Sequence, residues 1–111
     1  MNPKDRQVLE KICQHIRSVL KYCTGCSSLD DFQQESMRVE ACVFNLMQIG
    51  ELAKTALSDE MKQQLAEIPR KQIYGLRNRI VHGYAGVNLR IVWDTIHDDF
   101  PALADELEKL L

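Results

Sequence analysis

The sequence predicts an all-α fold, an up-down bundle of four main helices with one short extra helix, and three observations carry that reading. Apolar residues recur at three- and four-residue intervals over long stretches, the period of a helix buried on one face. No run alternates apolar and polar residues between turn signals, so strands are not indicated. Only three Pro and five Gly interrupt 111 residues. A hydrophobic fraction of 45% supplies a core and argues against a disordered chain. At this length residues 1–111 are expected to form one domain.

Each element follows from local chemistry. Asn2 before Pro3 makes an N-cap with Pro in the first turn, opening a helix to about Thr24 whose buried face is Val8, Ile12, Ile16, Val19, Leu20 and Cys23. Gly25 supplies the stop. Ser28 with Asp31 three residues later resembles a capping box. From there a single long helix is expected to about Leu57, with Val39, Cys42, Val43, Leu46, Ile49, Gly50, Ala53, Ala56 and Leu57 in its stripe. Gly50 costs about 1 kcal/mol there relative to Ala, which a close helix approach offsets. Ser58 caps a short helix ending near Ile68-Pro69, and a fourth helix runs from about Arg70 to His82 and stops at Gly83. Asn88 caps the last helix, to Leu111, with Leu89, Val92, Trp93, Ile96, Phe100, Leu103, Leu107 and Leu110 on one face. Pro101 is expected to kink it near the carbonyl of His97.

Several function classes are set aside. No stretch is long and apolar enough to span a bilayer, and Met1 to Arg6 holds no signal-peptide core, so a cytoplasmic location is the expectation. Cys23-Thr24-Gly25-Cys26 is a lone C-x-x-C without a βαβ setting or a second ligand pair, so it reads as helix-end residues with no special chemistry. His15 lies two residues after Cys13, but no metal-ligand spacing is visible, and no metal or cofactor is expected.

The chemistry concentrates in Arg77-Asn78-Arg79-Ile80-Val81-His82-Gly83-Tyr84. A permanent cation, an imidazole and a phenol lie within one to two helical turns, the groups that hold a phosphodiester, move its proton and neutralise developing charge. From Ile68 to Trp93 there is no acid, yet Arg70, Lys71, Arg77, Arg79 and Arg90 all fall there, in a chain of net charge -2. That asymmetry marks a local anion site and not a globally basic DNA binder. Arg77 and His82 are roughly 140° apart on a regular helix. They converge only if His82 sits where the chain turns out at Gly83, whereas Asn78 and His82 share a face. The helix C-terminus favours a protonated His82. Glu51, on the flank of the long helix, is placed to orient Arg77 or to remain solvated; Arg70, Lys71 and Arg79 are candidates for flanking phosphates. His97 reads as a surface residue and Trp93 as core.

The R-N-R-I-V-H-G-Y run resembles the HepT family of HEPN-domain proteins. It is preceded by Ile68-Pro69 and followed by Val87 to Asp94, and the likeness extends to Gln48-Ile49-Gly50-Glu51 and Asp99-Phe100-Pro101. The resemblance implies a metal-independent endoribonuclease toxin of a type VII-like toxin–antitoxin pair. Its active sites form in a homodimer, and its cognate partner is an MntA-like nucleotidyltransferase antitoxin. By the same resemblance Arg77 and His82 match the catalytic pair, Asn78 the polar residue after the arginine, and Tyr84 the tyrosine that receives AMP. Arg70 and Ala85 stand where family members often carry aromatics. The expected product is a 2′,3′-cyclic phosphate. Two other readings remain open from the residues alone: a non-catalytic nucleotide- or substrate-binding subunit of a partner nucleotidyltransferase, and a structural helical partner whose basic segment docks an acidic surface.

Overall fold

A computed structural model of the chain describes residues 1–65 and 88–111. Among these residues every regular element is helical, as the apolar spacing predicts. Helix α1 spans Pro3–Tyr22. The Asn2 side chain accepts the Asp5 N–H at 2.7 Å, and Pro3 sits in the first turn, where its missing N–H costs nothing. Val8, Leu9, Ile12, Cys13, Ile16 and Val19 bury one face. The helix ends as the Cys23 N–H closes on Val19 and Gly25 takes φ +87°, the left-handed conformation that releases the chain.

The single long helix expected from Ser28 to Leu57 is two helices, α2 over Leu29–Gln33 and α3 over Ser36–Thr55. Glu35 is extended at φ -121° and ψ 113°, and its carbonyl starts α3 by accepting from Val39. Arg38 is the physical cause visible in the structure. Its guanidinium donates to the carbonyls of Asp31 at 2.8 Å and Tyr22 at 3.0 Å. The Asp31 carbonyl that a continuous helix would have paired with Glu35 accepts instead from Arg38 and from the Gln34 N–H at 3.3 Å. The break turns α2 so that Phe32 is fully buried, its ring centroid 5.6 Å from that of Trp93. Ser28 caps α2 by accepting from Asp31 N–H, while the Asp31 carboxylate turns back to Ser27 rather than to Ser28, a shifted capping box.

Helix α3 packs along α1 in the most extensive helix pairing of the described fold. Cys42, Val43, Leu46, Ile49, Gly50 and Ala53 face inward at the expected spacing. Asn45 is also buried, and His15 on α1 meets its Oδ1 at 2.8 Å. The acceptor oxygen assigns the proton to His15 Nδ1. Asn45 Nδ2 donates to the Ala41 carbonyl, so this polar pair is satisfied inside an apolar seam. His15 is therefore a helix-pairing residue, bonded across to α3.

Ser58 starts α4, Asp59–Gln64, as its sequence position indicates. Its hydroxyl accepts from the Met61 N–H and donates to Asp5 at 2.6 Å, while its own N–H donates to the same carboxylate at 2.9 Å. The Ser58 hydroxyl and then its N–H hold the Asp5 carboxyl below its usual range. A depressed folded pKa stabilises the fold above the unfolded value of about 3.9 and loses that contribution as pH falls through the folded one. Ser58→Ala removes the cap and one Asp5 partner. It is expected to cost about 1–2 kcal/mol in urea unfolding at neutral pH; a change within measurement error would show that the cap contributes nothing. The end expected near Ile68-Pro69, and the helix expected from Arg70 to His82, lie outside the described residues.

Asn88 caps α5, Leu89–Asp94, by accepting from the N–H groups of Arg90 at 3.0 Å and Ile91 at 3.4 Å. A π-helical turn, Thr95–Asp99, then leads into α6, Phe100–Leu110. Pro101 cannot donate to the His97 carbonyl and its ring crowds it. The widened turn accommodates the proline, with the Phe100 N–H reaching back to Thr95. Val92, Trp93, Ile96, Phe100, Leu103 and Leu107 are buried as expected, whereas Leu110 is exposed. Helix α6 packs on α1, and Arg17 pairs with Glu108 across that contact. Among the described residues no helix is long and apolar enough to cross a membrane.

Candidate active site

The segment that carries the motif joins two well-anchored points. On its N-terminal side, Met61 and Leu65 are buried in the core at the end of α4. On its C-terminal side, the Asn88 cap fixes the start of α5, and Val92 and Trp93 anchor that helix.

Of the site residues named from the sequence, Glu51 alone falls among the described residues. It is exposed on α3, next to the buried Gly50, and its carbonyl accepts from the Thr55 hydroxyl at 2.8 Å. Arg77, Asn78, His82 and Tyr84 lie outside the described residues, as do Arg70, Lys71 and Arg79. Arg90, the last cation of the acid-free window, is described and exposed in the first turn of α5. Its backbone N–H helps complete the Asn88 cap.

The remaining polar residues are assigned by their contacts. His97 is exposed, lies over Trp93 with ring centroids 5.1 Å apart, and has Nδ1 3.0 Å from Asp98. It packs against a core aromatic from the outside, consistent with its reading as a surface residue. Trp93 is core, 7% exposed. The four cysteines are all free thiols. Cys23, however, does not stand alone: its sulfur is 3.8 Å from that of Cys42. The sequence reading takes Cys23 and Cys26 as helix-end residues with no special chemistry and does not bring Cys23 together with Cys42. The signal for the actual pairing was available, since Cys23 and Cys42 both belong to the buried stripes of neighbouring helices.

Comparison with known proteins places this arrangement in a family. A profile described as ribonuclease HepT-like matches residues 12–110, from the third turn of α1 to the end of α6. A protein of Caldanaerobacter subterraneus subsp. tengcongensis, named as an RNase, is 34% identical over 106 residues, covering 96% of this chain and 93% of its own. A protein of Thermococcus cleftensis, named as a ribonuclease HepT, is 29% identical over 110 residues and covers 99% and 98%. One from Methanocaldococcus jannaschii, also named as an RNase, is 34% identical over 103 residues, covering 93% and 84%. No solved structure matches the chain significantly. The matched span takes in the described helices from Ile12 of α1 onward together with the Arg77 to Tyr84 segment, and the chain belongs to the ribonuclease HepT-like family.

Proposed function

We propose that this protein is an endoribonuclease that cuts RNA without a metal ion, using the RNA 2′-hydroxyl as nucleophile. The observation that carries the reading is the Arg77-x4-His82-x-Tyr84 run inside a chain whose residues 12–110 match the ribonuclease HepT-like profile. Attack by the 2′-oxygen on the adjacent phosphorus needs a base for its proton, an acid for the departing 5′-oxygen and a cation beside the phosphorane. The products are a 2′,3′-cyclic phosphate and a 5′-hydroxyl. His82 is the proton carrier, with a reference pKa of about 6.5 that suits either role. Arg77 holds the scissile phosphate, a task its planar, permanently charged fork suits. Asn78 and Glu51 support the pair, and Arg70, Lys71 and Arg79 take flanking phosphates.

One chain supplies one such imidazole, whereas general acid–base cleavage uses two proton carriers. A two-fold homodimer with the motif segments facing each other supplies both, together with two Arg77 side chains. Titrating Arg77→Ala protein into wild type therefore lowers activity below that of the wild-type fraction alone; simple dilution would show independent sites.

The protein in this reading is the toxin of a pair, and a nucleotidyltransferase partner silences it by transferring AMP to Tyr84. The added phosphate competes with RNA for Arg77 and Arg79, and the nucleoside blocks the approach. Tyr84→Phe is expected to stay toxic and to resist neutralisation, because the hydroxyl is needed for modification more than for cleavage. Co-expression with a nucleotidyltransferase encoded beside it, followed by intact-mass measurement, tests this. Wild type gains the mass of AMP and the Phe variant does not. Equal neutralisation of the two, or no mass gain in wild type, removes Tyr84 from the mechanism.

A further inference from the structure

The thiols at the end of α1 have an arrangement that RNA cleavage does not use. Cys23 caps α1 and is half-buried, Cys42 lies wholly inside the first half of α3, and their sulfurs are 3.8 Å apart. Cys26 follows just beyond the Gly25 turn and is also half-buried. We propose that Cys23 and Cys42 form a redox site that reacts with hydroperoxides and closes to a disulfide between α1 and α3. The proposal is independent of the ribonuclease reading.

Two features support a division of labour. Solvent reaches Cys23 and not Cys42, so a peroxide meets Cys23 first. The sulfur–sulfur hydrogen bond with Cys42 holds the Cys23 pKa down, while Arg38, anchored on the Tyr22 carbonyl, acts in the same direction. The same pairing and burial push the Cys42 pKa up, keeping it a protonated donor. A thiolate and not a thiol is the nucleophile, which selects Cys23.

The chemistry balances in two steps. The Cys23 thiolate attacks one peroxide oxygen, the O–O bond breaks, and hydroxide leaves to become water, giving a Cys23 sulfenic acid. Cys42 then attacks the Cys23 sulfur, the S–O bond breaks, and a second water departs carrying the Cys42 proton. The two thiols are oxidised by two electrons and one hydrogen peroxide is reduced to two waters. Closing the sulfurs from 3.8 Å to the bonded length of about 2.05 Å is a movement of less than 2 Å. It occurs at the mouth of a helix pair whose seam is already packed. A thiol reductant reverses it.

The test uses the full-length reduced protein at low micromolar concentration. It is treated with stoichiometric hydrogen peroxide, alkylated, and digested with trypsin without reduction. Cleavage after Lys21, Arg38 and Lys54 puts Cys23 and Cys26 in peptide 22–38 and Cys42 in peptide 39–54. The expected result is a cross-link between these two peptides that dithiothreitol separates, with a rise in melting temperature of the oxidised protein. Cys26→Ser keeps the cross-link and Cys23→Ser loses it. A wild-type protein with no cross-link, a peptide 22–38 closed on itself, a covalent dimer in its place, or a cross-link that survives Cys23→Ser overturns the proposal.

Discussion

Replacing His82 with Ala is expected to lower RNA cleavage about 10²–10⁴-fold, the range contributed by a positioned acid or base. Arg77→Ala is expected to cost about 10²–10³-fold by removing the charge that opposes the phosphorane. Neither change should alter helical content, because both side chains are read as site groups and not as parts of the apolar stripes. Initial rates on single-stranded RNA, with circular dichroism on the same samples, decide the matter. Wild-type cleavage by either variant strips that residue of its role. A loss of helical signal would instead assign it to the framework. The His82 variant also separates catalysis from nucleotide presentation, since only the first requires its proton.

The second large effect is on stability. Phe32 is fully buried on the shortest described helix, and its ring meets Trp93 at the start of the last helical segment. Truncation to Ala leaves a cavity that the surroundings fill only partly, so Phe32→Ala is expected to cost about 3–5 kcal/mol. Against a total of about 5–15 kcal/mol for an ordinary domain, that is a large share. Equilibrium urea unfolding followed by Trp93 fluorescence measures it at the contact itself. A loss below about 1 kcal/mol would mean that α2 is not docked on α5 in solution.

Features governed by adjacent residues were legible in the sequence. Asn2 with Pro3, Ser58 and Asn88 all cap the helices they were expected to cap, because an N-cap needs only its own side chain and the next turn. The buried stripes of α1, α3 and the last helical segment were legible for the same reason. The break between α2 and α3 was not. Gln33-Gln34-Glu35-Ser36 holds neither Gly nor Pro, and the break is held by Arg38 reaching to carbonyls at Asp31 and Tyr22. Pro101 gave warning of a disturbance, but a kink and a π-helical turn are alternative answers to one proline. Asn45 is not part of the apolar stripe read from the sequence, yet it is buried, with His15 bonded to it from α1.

For the site, the sequence exposed the kinds of group and their spacing along one segment, and so the class of reaction. It could not place those groups in space, because Arg77 and His82 lie roughly 140° apart on a regular helix and spacing along the chain does not say how they approach. Glu51 shows the difference. Its position on α3 is established, exposed beside Gly50, while its service to Arg77 belongs to the proposal.

The central claim is that RNA supplies its own nucleophile. The measurement that tests it most directly is cleavage of a single-stranded RNA by the purified protein in excess EDTA, beside the same oligomer carrying a 2′-deoxy sugar at the cut position. Mass analysis of the new ends completes it. The account predicts undiminished cleavage in EDTA, a 2′,3′-cyclic phosphate on the upstream fragment, and no cleavage at the deoxy position. Activity abolished by EDTA, or equal cutting of the deoxy oligomer, would contradict it.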